Sequence, residues 1–294
     1  MNASPVISRS EPGPTAVKAV SVISTGSVKI RPEHAHGSRK PAYWWLLTSR
    51  RCTPPLPINV YVIEHTSGLI LFDTGQDRAS VTDPGYFPGG MAGLVYQRLA
   101  EFDIGEQDTL TAQLTSLGYS PTDVATAVIS HLHQDHMGGL PELAGAELLV
   151  SAREWSEMTR PRPELRGFLR EHIELPGLHW RRVSPEPARD PALAPFTESL
   201  DLLGDGSLVL LPTPGHTAGS VSLLVRRGSR APLLLVGDLS YGDDILHRGQ
   251  LPGVGSRRLL AESTRKVLAL QQRMPGLVVL PAHDPTAAAR LLDA

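Results

Sequence analysis

The residues richest in chemistry lie together in His131-Leu132-His133-Gln134-Asp135-His136, followed by Met137-Gly138-Gly139. The segment comes directly after an apolar run at 125–129, whose length and β-branched content predict a strand. In extended chain, side chains two apart point the same way, so His131 and His133 can meet one metal ion. A turn after them aims Asp135 and His136 at a second point nearby. Gly138-Gly139 supplies the backbone freedom for that turn. Imidazole nitrogen and carboxylate oxygen suit zinc and similar divalent ions. A lone histidine is usually structural or on the surface, but that reading does not explain four ligand-type residues in so short a stretch.

Three further candidates each follow an apolar run. His216 sits in Thr213-Pro214-Gly215-His216-Thr217 after 208–211, Asp238 in Gly237-Asp238 after 233–236, and His283 in Pro281-Ala282-His283-Asp284 after 277–280. Function gathers where strands end in loops. Each residue alone is a weak signal. Together they complete the ligand count for two adjacent metals, with positions left open for water and substrate.

The elements that must carry these residues are short. Apolar runs at 17–23, 43–47, 58–63, 69–72, 125–129, 148–150, 208–211, 221–225, 233–236 and 277–280 read as strands. The run 233–236 is apolar throughout, which predicts burial on both faces. Leu110, Leu114 and Leu117 recur at helical spacing, with Gly118 where a helix stops. Ser256 opens a second helical pattern carrying Leu260, Val267, Leu270 and Met274, and a last helix is predicted over 286–292. Strands cluster before residue 150 and after 205, which predicts two sheets packed face to face with helices outside. Residues 160–195 read as an excursion around the core. The expected organisation is a flexible N-terminal tail over 1–16 and a single domain over 17–294.

Composition narrows the partners. Over 294 residues the net charge is -2, with 41% hydrophobic and 20% charged residues. These values suit a globular chain and provide no basic footprint for nucleic acid. No apolar stretch reaches the roughly 18 residues of a membrane span. The single cysteine, Cys52, cannot form an intrachain disulfide, and it reads as a buried or half-buried thiol. The expected location is the cytoplasm, with neither nucleic acid nor membrane as a partner.

His-x-His-x-Asp-His, followed by a single His, an Asp and a His, resembles the metallo-β-lactamase superfamily from about Val17 to the C-terminus. The resemblance implies an α/β fold, the αββα four-layer sandwich, with two divalent metals, zinc by default, at one edge. It implies that His131, His133 and His216 hold one metal, that Asp135, His136 and His283 hold the other, and that Asp238 bridges. Asp73, in Phe72-Asp73-Thr74-Gly75, matches the family's supporting aspartate. The di-iron redox branch is disfavoured, because His133 stands where that branch has a carboxylate.

Asp238-Leu239-Ser240-Tyr241 resembles the Asp-x-x-Tyr of N-acyl-homoserine lactonases, and the flanking segments 57–75 and 213–217 look like that family too. The resemblance implies a dinuclear-metal hydrolase that opens a lactone ring by attack of a metal-bridging hydroxide. Tyr241 would reach the substrate carbonyl and Asp135 would serve as general acid. The bland reading of Tyr241 is a tyrosine packed under the sheet edge. Tyr86, Phe87, Met91, Leu94 and Tyr96 read equally as a lid over an acyl chain or as local packing. Gln134 stands where that family often has an aromatic or another residue. Trp44-Trp45, read as strand, belongs to core or interface, and His34 and His36 read best as a solvated loop. Competing readings are a glyoxalase II-like thioesterase, a carboxylester or phosphotriester hydrolase, and a metal-binding protein without catalysis. A homodimer is compatible with the sequence but not specified by it.

Overall fold

The computed structural model describes residues 6–9 and 15–294. Strands drawn from residues 6–183 build an eight-stranded sheet. Its strands are β1 (Val6–Arg9), β2 (Val17–Ile30), β3 (Leu56–His65), β4 (Gly68–Phe72), β5 (Ala100–Asp103), β6 (Val124–Val128), β7 (Glu147–Ser151) and β8 (His179–Val183). They are ordered β1-β2-β3-β4-β6-β7-β8, and β5 pairs with the end of β2. From β4 through β8 the neighbours on this path run parallel, so the loops leaving their C-terminal ends share one edge.

The C-terminal half builds a six-stranded sheet from β9 (Glu186–Pro187), β10 (Glu198–Asp201), β11 (Leu208–Pro212), β12 (Val221–Arg227), β13 (Arg230–Gly237) and β14 (Val278–Pro281). The β13–β14 pair is parallel. That arrangement brings the loops after Gly237 and Pro281 to one edge.

Side-chain alternation along the strands creates the layers. Ile70 and Phe72 of β4 pack between the sheets with Leu223 and Leu235, while Leu69 and Leu71 face outward. The outward face of the first sheet is covered by the helix Leu110–Ser116, through buried Leu110 and Leu114. Thr109 caps that helix by accepting from the Ala112 N–H at 3.3 Å. The outward face of the second sheet is covered by the helix Arg257–Arg273, through Leu260, Val267 and Leu270. The result is the expected αββα sandwich. Leu233 and Leu235 face the inter-sheet core and Leu234 and Val236 the outer helix, so the run 233–236 is apolar throughout because both faces of β13 are buried there.

Several expectations need correction. Residues 43–47, read as strand, lie in the helix Ala42–Thr48. Ala42, Trp45 and Leu46 make a stripe at i, i+3 and i+4, a helical period that a run of five apolar residues cannot display clearly. Trp45 is buried and Trp44 is 50% exposed. Within the expected tail, Val6–Arg9 pairs antiparallel with β2, and the tail residues 1–5 and 10–14 lie outside the described residues. The excursion 160–195 contributes β8 and β9 to the two sheets. Cys52 is exposed. Among the described residues no helix is long and apolar enough to cross a membrane.

Candidate metal centre

The motif leaves β6 as an extended loop and enters a short helix, Gln134–Met137. His131 and His133 do face one point, with ring centroids 4.6 Å apart. The glycines behind them act differently from expectation. Gly138 and Gly139 have negative φ, so neither needs glycine's conformational freedom. What they need is space: a Cβ on Gly138 would lie 2.2 Å from the Asp77 nitrogen, and one on Gly139 would lie 2.6 Å from the Thr74 oxygen. The metal-motif helix is thereby seated directly on the loop after β4, where Thr74 donates its N–H to the His136 carbonyl at 2.7 Å.

The loops after β11, β13 and β14 deliver His216, Asp238 and His283 to the same point. All seven sequence-predicted residues come together in three overlapping groups: His131-His133-His216, His131-His136-Asp238 and Asp135-His136-His283. Within each group the candidate donor atoms lie within 4.8 Å of one another.

For three of the rings, hydrogen bonds set which nitrogen faces inward. His133 donates from Nε2 to the Arg166 carbonyl at 3.1 Å, so its Nδ1 lone pair faces His131 Nε2 at 3.1 Å and His216 Nε2 at 2.9 Å. His136 donates from Nδ1 to Asp73 Oδ2 at 2.8 Å, and His283 from Nδ1 to the Pro57 carbonyl at 2.9 Å. Both therefore present Nε2, at 3.2 and 3.3 Å from Asp238 Oδ1. The other Asp238 oxygen, Oδ2, lies 3.5 Å from His216 Nε2, so this carboxylate spans the two halves of the cluster.

The donor set fits two divalent cations. His136 Nε2 and Asp238 Oδ1 are buried and have no hydrogen-bond partner. Three imidazoles, those of His131, His133 and His216, converge on one point, and two imidazoles, those of His136 and His283, border the next with the carboxylates of Asp135 and Asp238. Tetrahedral ligands roughly 2.0–2.1 Å from zinc stand about 3.3 Å apart, close to the separations found. Burial holds His131, His133 and His216 below the ordinary histidine value, which favours the neutral form that binds metal. On the other side burial also opposes charge, but Asp238 and its neighbouring carboxylates outweigh it. They hold His136 well above the ordinary value and raise His283 to about 10. Burial likewise opposes ionisation of Asp238, yet His283 and His136 hold its carboxyl well below the usual range.

Tyr241 is buried at the edge of this cluster and stacks on His283, with centroids 5.4 Å apart. Its hydroxyl donates to Asp238 Oδ2 at 2.7 Å. The cluster floors a cavity of about 480 Å³. The cavity walls include Ile30, Leu46, Val95, Leu99, Phe102 and Leu259, with Gln134 and Asp135 near the floor. Of the five residues expected as lid or local packing, Tyr96 lines the cavity, Tyr86 and Phe87 pack with Leu169, and Met91 and Leu94 are exposed.

Two residues of this region escaped sequence reasoning. His34, expected on a solvated loop, lies on the helix Pro32–His36, lines the cavity and contacts Tyr241. Glu154 is fully buried behind the first metal group. It accepts from the Leu132 N–H at 3.1 Å, the Thr217 hydroxyl at 2.7 Å and the Gly219 N–H at 3.0 Å. It ties the His131–His133 loop to the His216 loop. Neither residue has a spacing that marks it.

The model of the metallo-beta-lactamase superfamily matches residues 53–283. The chain belongs to this superfamily. Among curated superfamily relatives, the N-acyl homoserine lactonase AttM of Azorhizobium caulinodans is 31% identical over 234 residues, which cover 79% of this chain and 83% of that protein. The protein of the same name from Agrobacterium fabrum is 32% identical over the same shares. A probable metallo-hydrolase of Mycobacterium tuberculosis is 31% identical, over 77% of this chain and 74% of its own. Among solved structures, an N-acyl homoserine lactone hydrolase with N-hexanoyl-L-homoserine at its catalytic metal centre superposes with a TM-score of 0.73 at 22% identity. It covers 92% of this chain and 94% of its own. The dizinc quorum-quenching lactonase AidC superposes at 0.63 with 16% identity, over 96% and 92%. These two structures share the fold.

Proposed function

We propose that the protein is a two-metal lactonase that opens the ring of N-acyl-homoserine lactones or close analogues and so silences such a signal. His131, His133 and His216 would hold one divalent cation, Asp135, His136 and His283 would hold the second, and Asp238, whose two oxygens face both groups, would serve both. Zinc is the ion proposed for both sites. The observation that carries the reading is the convergence of these seven donors, five of which line an apolar cavity, with Tyr241 beside them. Curated relatives bearing the lactonase name support it.

Divalent cations held by these residues would lower the pKa of water toward neutrality and polarise a carbonyl. The chain's own residues do the rest. Apolar walls seat an acyl chain and exclude water around it. The Tyr241 hydroxyl turns from Asp238 to the carbonyl oxygen on which charge develops. Asp135, which His136 and His283 keep ionised despite its burial, takes a proton from the water whose oxygen adds to the carbonyl carbon and passes it to the ring oxygen as the C–O bond breaks, leaving an open-chain hydroxy acid. Because residues from His34 to His283 meet in this one site, we take 17–294 as a single working domain.

The test is proton release by purified protein of measured metal content. It should be offered short- and long-chain N-acyl-homoserine lactones beside a simple γ-lactone, a thioester and a phosphotriester. Fast opening of the acylated lactones with about two metals per chain is expected. Two metals without lactone turnover would overturn the substrate, and a thioester or phosphotriester rate would name its replacement.

A further inference from the structure

His34 reaches the site from the far end of the chain. Its Nε2 lies 3.0 Å from the Tyr241 hydroxyl oxygen, across 207 residues of sequence. A phenol has one proton. Here that proton is committed to Asp238 Oδ2, at the shorter distance of 2.7 Å. At the His34 contact the Tyr241 oxygen therefore accepts, and His34 donates from Nε2. The neutral ring then carries no proton on Nδ1, which is buried without a partner. The ring is also held by packing, edge-on to Tyr241 at 5.4 Å between centroids and 6.1 Å from Trp45.

The backbone beneath His34 is fixed from the C-terminal half. Gly253 donates its N–H to the His34 carbonyl at 2.8 Å. A Cβ on Gly253 would lie 2.0 Å from the Glu33 oxygen, and one on Gly37 would lie 2.4 Å from the Leu251 oxygen. The short helix is thus clamped against the 251–253 loop, an arrangement that fixes where the imidazole points.

We infer that His34 is a positioning residue for Tyr241: its Nε2–H holds the phenol oxygen so that the O–H is aimed into the site. The inference rests on the lactonase reading above. A donor to the phenol oxygen polarises the O–H and makes it a stronger donor to a developing oxyanion. It also removes the orientations in which the hydroxyl would point away. When substrate arrives the proton swings from Asp238 to the substrate oxygen while the His34 contact stays in place. The effect should therefore fall on turnover and leave binding of the acyl chain largely unchanged.

The experiment is a double-mutant cycle on metal-loaded protein with an acyl-homoserine lactone, using His34→Ala, Tyr241→Phe and the double variant, with His34→Gln as the conservative replacement. His34→Ala should lower kcat about tenfold, the upper range for one neutral hydrogen bond, with KM changed less than about twofold. In the Tyr241→Phe background the same change should alter kcat by less than about twofold. Gln carries an N–H near the position of imidazole Nε2 and should restore most of the loss. A readout independent of turnover is the ring ¹³Cζ shift of Tyr241, assigned with Tyr241→Phe. It should move in His34→Ala and return in His34→Gln. Additive losses in the cycle, or an unmoved shift, would overturn the inference while leaving the lactonase reading intact. Absence of lactone turnover in the unaltered two-metal protein would remove that reading instead, and the shift would still report whether His34 holds Tyr241.

Discussion

Asp73 Oδ2 accepts a hydrogen bond from His136 Nδ1 at 2.8 Å, across 63 residues of sequence. The same carboxylate accepts the Ser130 N–H at 2.7 Å and the Ser130 hydroxyl at 2.9 Å. Asp73 sits at φ 61, a left-handed conformation that costs a non-glycine residue energy. Three hydrogen bonds to one side chain offset that cost. They also determine that His136 offers Nε2, not Nδ1, to the centre.

Replacing Asp73 therefore tests the second metal group without touching a ligand. Asp73→Asn keeps the shape and tolerates the same backbone, but its amide cannot accept at both oxygens. Loss of such a support typically weakens metal affinity by about 10–100-fold. Titration with a competing chelator should show one metal held in that range of weakening. Unchanged affinity for both metals would mean that His136 is oriented by its packing alone.

Ligand and non-ligand variants should separate cleanly. His131→Ala and Asp238→Ala are expected to lose metal and activity together. Tyr241→Phe should retain about two metals per chain and lose turnover by about 10–100-fold, the loss of one donor to a developing oxyanion in a partly open site. Metal analysis alongside kcat distinguishes the two classes. Normal turnover in Tyr241→Phe would return the tyrosine to the packing role that its burial alone could explain.

How much of this was legible in sequence follows from distance along the chain. His131 to His136 are local, and a strand followed by a turn is enough to aim them. His216, Asp238 and His283 could be found because each ends an apolar run, and parallel neighbours such as β13 and β14 bring strand ends to one edge. The layers were legible for a similar reason, since strands cluster before residue 150 and after 205, and the unbroken apolar run 233–236 reports burial on both faces. His34 was not legible, because its meaning lies in a contact with Tyr241 that depends on how a five-residue helix docks. Glu154 carries no pattern at all, because burial and three donors from two other loops define it. Ala42–Thr48 shows too few turns for its period to be read from composition.

Glu154 makes a prediction about pH. Burial pushes its carboxyl up to about 7, against 4.5 as the ordinary value. Between those values the folded chain holds the proton more tightly than the unfolded chain. Stability from this group is therefore highest below about pH 4.5, declines as pH rises to about 7, and levels off above. The full decline corresponds to about 3 kcal/mol at most. Glu154→Gln, which has no charge to bury, should show a flatter stability profile between pH 5 and 8 in denaturant titrations. Glu154→Ala should lose roughly 3 kcal/mol or more at pH 5, because Leu132, Thr217 and Gly219 would each lose an acceptor. Parallel profiles for wild type and Glu154→Gln would show that the carboxyl titrates alike in both states.

The cavity walls predict how the enzyme should rank its substrates. Ile30, Leu46, Val95, Leu99, Phe102 and Leu259 offer an acyl chain apolar contact above the metal floor. Burying each methylene is worth about 0.8 kcal/mol, so kcat/KM should rise about fourfold per added carbon until the cavity is full. Ala42 lines the same cavity from the helix Ala42–Thr48, and its small side chain leaves room there. Ala42→Trp should shorten the usable length, raising KM for a decanoyl lactone about tenfold or more while leaving a butanoyl lactone near its wild-type value. That split is informative because Ala42 is neither a proposed ligand nor a residue given a part in the chemistry. Equal losses on both chain lengths would mean that the tryptophan disturbs the site itself. No loss on either would place the acyl chain along another wall of the cavity.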